Sequence, residues 1–207
     1  MKRSTRTTVA MALPLTLALT LAACAAPAPA DPQTAFMASL QQHCGKAYAG
    51  RLVSNDAADA DLAGKPMIVH FRSCNAARME IPFHVGTADG GWDRSRTWII
   101  TRTDTGLRLK HDHRHADGSI DPVTQYGGDT ATKGTASQQE FPVDAESIAM
   151  FRSQGLGKSV TNRWAVEITD RTYAYMLRRP DGPDARNFRV EFDLGQPVAS
   201  PPAPWGW

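Results

Sequence analysis

The sequence predicts an all-β domain, an antiparallel β-barrel of about eight or nine strands with a short N-terminal helix. Three observations support this fold class. Most of the chain after residue 46 alternates apolar and polar residues with period two, in short segments bounded by Gly, Pro, Asn or Asp. Two pairs of segments are joined by hairpin-length connections, and no strand–helix–strand alternation appears. A sandwich fits the same pattern, but a helix packed over one end of the sheet favours the barrel.

The N-terminal segment has the pattern of an export signal. Lys2, Arg3 and Arg6 precede an uncharged run from Val9 to Ala23 that ends in small residues. As a helix this run rises about 22 Å, which is too short for a hydrocarbon core of about 30 Å. The pattern therefore predicts a signal peptide and not a membrane span.

Residues 21–24, Leu-Ala-Ala-Cys, resemble the lipobox of bacterial lipoprotein precursors. The resemblance implies that Cys24 is acylated and becomes the first residue of a chain anchored to a membrane by several acyl chains. Because Ala25 follows the cysteine where the family's sorting rule looks for Asp, the resemblance implies, for a Gram-negative cell, the outer membrane with the domain facing the periplasm. An ordinary signal cleaved a few residues later is the alternative.

The charge of the mature chain argues against nucleic acid as a partner. The whole chain has 23 Lys and Arg against 21 Asp and Glu, and three of the basic residues lie in the signal. The mature chain then carries 20 basic and 21 acidic residues, a net charge of −1, with no basic block. A nucleic-acid binder needs a basic surface that replaces the counterions of phosphates.

Cys44 and Cys74 are the cysteines that remain once Cys24 is acylated. An exported domain lies in a compartment that permits disulfides, so the sequence predicts a bridge between them. Closing a loop of about 30 residues stabilises the fold by roughly 3.6 kcal/mol in the loop-entropy account. Two unpaired buried thiols are the alternative.

The sequence divides into a signal, a tether, a domain and a tail. Residues 1–23 are assigned to the signal, 24–33 to a lipidated Pro/Ala tether, 34–196 to the barrel and 197–207 to a Pro- and Trp-rich tail. The tail is stiff and carries much apolar area on Trp205 and Trp207. It is expected either to fold back on the barrel wall or to dock to an envelope protein or the cell wall.

Helices are predicted at Thr34–Cys44, beginning near Asp31-Pro32, and at Asp144–Phe151, where Asp144 is the cap. The strands are predicted at 47–54, 66–73, 78–85, 96–102, 107–113, 162–169, 172–178 and 187–194, with a ninth near 137–143. Residues 103–106 and 169–171 are the hairpin turns. The Gly-rich segment 121–129 is expected to be a long polar loop, over a barrel mouth or fully solvated.

This arrangement is similar to calycin barrels, the lipocalin-like group. The resemblance rests on the short helix, on Gly50 in the first strand and on Arg189 in the last, although Leu52 stands where calycins usually have Trp. It implies an antiparallel barrel. The chain as a whole also resembles many small exported bacterial proteins of unknown role.

The segment 107–118 contains three of the six histidines of the chain. Odd-numbered residues of a strand here share one face and even-numbered residues the other. The even face is charged, so the odd face, which includes two leucines, is the core face. His111, His113 and, at the fraying end, His115 therefore continue the core face into the interior.

Three roles for these inward histidines follow from their chemistry. They can ligate one divalent ion together with a ligand from another strand, for which the candidates are His70, His84, Glu80 and Glu167. They can form a structural network with Asp117, Tyr126 or backbone carbonyls, or they can line a ligand pocket. The network and the pocket can coexist.

No catalytic signature appears in the chain, neither Gly-x-Ser-x-Gly nor His-Glu-x-x-His. The sequence therefore favours a non-catalytic, membrane-anchored module that binds a small ligand or acts in the envelope. The residues expected to hold a small apolar or aromatic ligand are His111, His113, Trp98, Trp164 and Phe83. The alternative is a metal-binding protein or a metal-dependent enzyme with a divalent metal on His111, His113 and His115.

Overall fold

The computed structural model describes Met1 and residues 31–207. The predicted signal, the lipobox with Cys24 and most of the tether lie outside the described residues. Within the described part, no helix has the length and apolar character needed to cross a membrane.

The described chain forms two α-helices, two short 3-10 helices and eleven strands. The helices are α1 (Pro32–Gln41) and α2 (Ala145–Ser153), and the 3-10 helices are Ala57–Leu62 and Gly157–Thr161. The strands are β1 (Ala47–Leu52), β2 (Met67–His70), β3 (Ser73–Cys74), β4 (Arg78–Gly86), β5 (Trp92–Arg102), β6 (Leu107–His113), β7 (Tyr126–Asp129), β8 (Gln138–Pro142), β9 (Arg163–Ile168), β10 (Thr172–Arg179) and β11 (Arg186–Val198).

The strands form one antiparallel sheet that is rolled into a nearly closed barrel. Its order is β7-β6-β5-β4-β2-β1-β11-β10-β9-β8, and the short β3 pairs with β4 beside this path. The predicted barrel is confirmed, and the sandwich is not formed. The predicted count of eight or nine strands was too low, because ten strands lie on the path. Lipocalin barrels close with about eight strands.

The predicted loop at 121–129 was wrong over its last part, which is β7. Alternation of apolar and polar residues did not predict this strand, because Gly127 and Gly128 have no side chains. The structure explains why glycine is needed there. A Cβ at Gly127 would overlap the carbonyl oxygen of Leu109, and a Cβ at Gly128 would overlap that of Pro142. The two glycines therefore let β7 lie close to β6 and to the end of β8.

Helix α2 closes the seam between β7 and β8. The backbone N–H of Asp144 donates to the carbonyl of Gly127 at 2.9 Å, and the Gly127 N–H donates to Oγ of Ser147 at 2.8 Å. Asp144 is also the cap of α2, as predicted, since its carboxylate accepts from the Ser147 N–H at 2.7 Å. At the α1 end of the seam, Gln33 donates to Oγ1 of Thr130 at 2.9 Å. Backbone and side-chain hydrogen bonds thus connect the two edges of the sheet where strand pairing stops.

Helix α1 closes one end of the barrel. Its N-terminus is capped by Asp31, which accepts from the Thr34 N–H at 3.0 Å, and Pro32 begins the first turn. The buried face consists of Phe36, Met37 and Leu40, as the spacing predicted. Each such side chain stabilises the fold by about 1.5–3 kcal/mol through burial. The helix ends three residues before the predicted boundary at Cys44.

The predicted disulfide is present between Cys44 and Cys74, whose Cα atoms are 5.9 Å apart. It joins the chain after α1 to β3. The bridge therefore ties the helix that closes the barrel to the barrel wall.

The C-terminal tail folds back on the outer wall of the barrel. Nη1 of Arg94 donates to the carbonyl of Ala203 at 2.7 Å, and the Trp205 N–H donates to the carbonyl of Arg94 at 3.1 Å. The indole Nε1 of Trp207 donates to Oδ2 of Asp112 at 3.0 Å. The tail thus covers the outside of β5 and β6.

Two residues of the calycin resemblance have local roles. Gly50 lets β1 approach β11, because a Cβ there would overlap the ring of Phe192. Arg189 donates to Glu167 at 2.8 Å and to Glu191 at 2.6 Å. Its charge is therefore paired with carboxylates of β9 and β11.

Candidate functional site

A cavity of about 150 Å³ lies inside the barrel, at the end opposite α1. The two ends of β5 show that the cavity and α1 lie at opposite ends of the barrel. Arg102, at one end of β5, donates to Thr34 of α1, whereas Arg96 and Trp98, toward the other end, line the cavity. Leu62 of the first 3-10 helix and Leu177 of β10 also contribute to the lining. The cavity therefore lies at the end of the barrel that α1 does not cover.

One wall of the cavity is a stack of three aromatic rings. The ring of Trp98 is parallel to that of Phe83 at 4.9 Å and to that of Tyr175 at 4.2 Å, with interplanar angles of 12° and 11°. Trp98 is 2% exposed. Offset stacked pairs add about 0.5–1.5 kcal/mol each beyond burial, so this wall is rigid.

The His111 ring is held by hydrogen bonds at both nitrogens. Nδ1 is 2.9 Å from the backbone carbonyl of Tyr126, which only accepts, so the Nδ1–H donates there. Nε2 is then the acceptor, and it lies 2.7 Å from the hydroxyl of Tyr175, which donates to it. Burial lowers the pKa of His111 to about 3. The ring is therefore neutral at pH 7 and occupies one tautomer.

His113 and Tyr126 form the second half of this polar wall. Nε2 of His113 is 3.0 Å from the hydroxyl of Tyr126, and the Tyr126 ring is stacked on His111 at 4.5 Å. Burial, with a smaller contribution from the charge of Arg96, lowers the pKa of His113 to about 4. Burial raises the pKa of Tyr126 and of Tyr175.

These shifts determine what the polar wall can do chemically. A general acid or base works best when its pKa is near the working pH. The two histidines have pKa values far below 7 and the two tyrosines far above it. At neutral pH the wall therefore presents hydrogen bonds and aromatic surface without net charge.

Two arginines supply the charge of the lining. Nη1 of Arg96 donates to Asp93 at 2.6 Å, on the same strand. Arg186 is paired with the buried Asp59 of the first 3-10 helix, and its guanidinium lies 5.8 Å from the centre of the Phe188 ring. Neither aspartate lines the cavity.

The structure brings together four of the five residues predicted to hold a ligand. His111, His113, Trp98 and Phe83 line the cavity. Trp164 lies behind this lining, 5.2 Å from the His111 ring between ring centres. It supports the polar wall without reaching the cavity.

Sequence reasoning missed Arg96, Tyr175 and Arg186. A signal existed for the first two, because Arg96 shares the inward face of its strand with Trp98, and Tyr175 shares the inward face of β10 with Tyr173. No local signal pointed to Arg186, which is brought to the cavity by the pairing of β11 with β10.

The residues considered for a metal site do not converge. His115 is exposed in the turn after β6, and both nitrogens of His111 are engaged in hydrogen bonds. The proposed third ligands lie elsewhere: Glu80 is paired with Arg78, Glu167 with Arg189, and His84 lies beneath Pro202 of the tail, while His70 does not line the cavity. In residues 31–207 no three His, Cys, Asp or Glu side chains are grouped as metal ligands.

Comparison with known proteins adds no family to this description. No protein-family model matches the chain, and neither does any curated protein. The functional argument therefore rests on the cavity.

Proposed function

We propose that this protein is a non-catalytic, membrane-anchored binding protein that holds a small molecule with one aromatic ring inside its barrel. The cavity carries the proposal. A volume of about 150 Å³ is the size of cavity known to accommodate a benzene ring. A larger ligand would extend through the open end, past Arg96 and Arg186.

The lining supports an aromatic ligand with a polar substituent. The stacked rings of Phe83, Trp98 and Tyr175 give the cavity an apolar aromatic lining. The lining also has a polar group. The Tyr175 hydroxyl donates to His111 and keeps an acceptor lone pair for a ligand. Ligand sites commonly combine an apolar lining with a few fixed polar groups of this kind.

The proposed location is the periplasmic face of the outer membrane, if the source is Gram-negative. It is supported by the resemblance of residues 21–24 to a lipobox and by Ala25 after the cysteine. The disulfide fits a compartment that is oxidising.

Replacing Cys24 with Ser should release the protein from the membrane, because no acyl chain can then be attached. The measurement is the distribution of the full chain between membrane and soluble fractions of an exporting bacterium. Ala25→Asp is the matched control, since it leaves the cysteine in place and should keep the protein in a membrane fraction. A Cys24→Ser protein that stays in the membrane would contradict the proposed anchor.

Filling the cavity should weaken ligand binding strongly. Leu177→Trp adds a large side chain to the lining, so we expect at least a tenfold loss of phenol affinity in calorimetric titration of the full-length protein. Leu156→Trp, at an exposed position away from the cavity, is the matched control. Leu62→Phe is a second, smaller filling change at the same cavity. Saturable phenol binding that all three variants retain would show that the cavity is not the site.

A further inference from the structure

We infer that the ligand of this cavity carries a carboxylate or a similar small anionic group, which Arg96 and Arg186 bind. This inference rests on the proposed function and specifies its ligand class. Among the described residues, these two arginines are the charged side chains of the lining, since both histidines there are neutral at pH 7.

Each guanidinium has donors left for a ligand. A guanidinium carries five N–H donors in a planar fork. Arg96 uses Nη1 for Asp93, and Arg186 uses Nη2 for Asp59. Nε of Arg186 is buried without a hydrogen bond in the described structure, and it lies 3.8 Å from Oδ2 of Asp56. The terminal nitrogens that the ion pairs with Asp93 and Asp59 do not use, Nη2 of Arg96 and Nη1 of Arg186, are the donors left for a ligand.

The paired aspartates support an anionic ligand by their position. Asp93 and Asp59 contact the guanidinium groups but are absent from the lining, so a ligand meets the arginines first. They fix the orientation of the two forks, which leaves the remaining donors free. An ammonium group in the same place would meet two cations and no carboxylate of the lining, so amines should be disfavoured.

The aromatic and the charged parts of the lining lie at different depths, so they would contact different ends of a ligand. The aromatic stack lies deep in the barrel, where Trp98 is 2% exposed, whereas Arg96 and Arg186 have partly exposed side chains. A ring held in the cavity beside this stack therefore directs its substituent toward the arginines. Charge-assisted hydrogen bonds from arginine to carboxylate are short and strong, and they are often bidentate.

The test uses three probes with the same ring and different charges: benzoate, benzamide and benzylamine. Each is titrated calorimetrically into the full-length protein at pH 7. We expect benzoate to bind about tenfold or more tightly than benzamide, and benzylamine to bind more weakly than both. Arg96→Gln should remove most of the preference for benzoate and leave benzamide affinity within about twofold. Arg102→Gln, at the α1 end of the same strand, is the matched control and should keep the preference.

The outcomes separate this inference from the proposed function. Equal affinity for benzoate and benzamide, or tighter binding of benzylamine, would overturn the anionic ligand while leaving a ring-binding cavity. Failure of all three probes to bind would overturn the proposed function itself. If Arg96→Gln does not fold, Arg96→Lys gives the same test, because it keeps a charge but loses the planar fork. It should then bind benzoate several-fold more weakly than the unmodified protein, and unchanged affinity would overturn the inference.

Discussion

Replacing Gly128 with Ala should destabilise the protein by about 3 kcal/mol or more, the upper range for overpacking a tight site. The added Cβ would overlap the carbonyl oxygen of Pro142, which is backbone and cannot rotate away. The same glycine strand is joined to the N-terminal end of α2 by the hydrogen bonds of Asp144 and Ser147 with Gly127. Pushing β7 away from β8 would therefore break the seam of the barrel as well as create a local clash.

The measurement for Gly128→Ala is the midpoint of urea unfolding of the full-length protein. Gly157→Ala is the matched control, because nothing lies within 4 Å of a Cβ at that position. It should leave the midpoint nearly unchanged. An equal midpoint for Gly128→Ala and the unmodified protein would mean that the barrel is not closed in the way described.

Stability should fall as the pH drops from 7 to 5. Burial lowers the pKa of His111 to about 3 and the pKa values of His113 and His84 to about 4, against 6.5 in the unfolded chain. Between these limits the unfolded state binds more protons than the folded state. The free energy of unfolding therefore rises with pH in this window and falls as the pH drops below 6.5. Once a histidine is protonated in the unfolded chain, it lowers the free energy of unfolding by about 1.4 kcal/mol per pH unit.

Urea midpoints at pH 7, 6 and 5 test this dependence, in a range that lies above the titration of most carboxylates. In His111→Gln the slope against pH should be smaller by roughly one histidine's contribution, about 1.4 kcal/mol per unit near pH 5. His115→Gln, at an exposed turn position, should keep the full slope. A free energy of unfolding that is flat from pH 7 to 5 would contradict the burial of these neutral rings.

The sequence predicted nine of the eleven strands and missed the two-residue β3 and the glycine-containing β7. Nine predicted segments overlap strands of the structure, because each is a short run rich in β-branched or aromatic residues between turn-forming residues. Strand β7 has two adjacent glycines, so the sequence shows no alternation of apolar and polar residues there, although the strand is hydrogen-bonded and closely packed. Its partner across the seam, β8, is adjacent only because the sheet rolls up, which local pattern does not encode.

The candidate site was predictable where it depended on one strand and not where it depended on several. The face of β6 placed His111 and His113 inward, and the structural network to Tyr126 and the pocket lining both occur. The arginines are different, because Arg96 and Arg186 belong to strands separated in the sheet by β4, β2 and β1. Both line one cavity because the sheet rolls into a barrel. This arrangement depends on the long-range pairing of the strands, which a local sequence pattern does not encode.

Histidine ring NMR during a benzoate titration tests the central claim most directly. The six histidines of the chain lie at different places, and only His111 and His113 line the cavity. We expect the ring nitrogen signals of these two to shift saturably with benzoate, while those of His43, His70, His84 and His115 stay unchanged. Saturable shifts confined to the other four histidines, or no shift at any of the six, would contradict a ligand site inside the barrel.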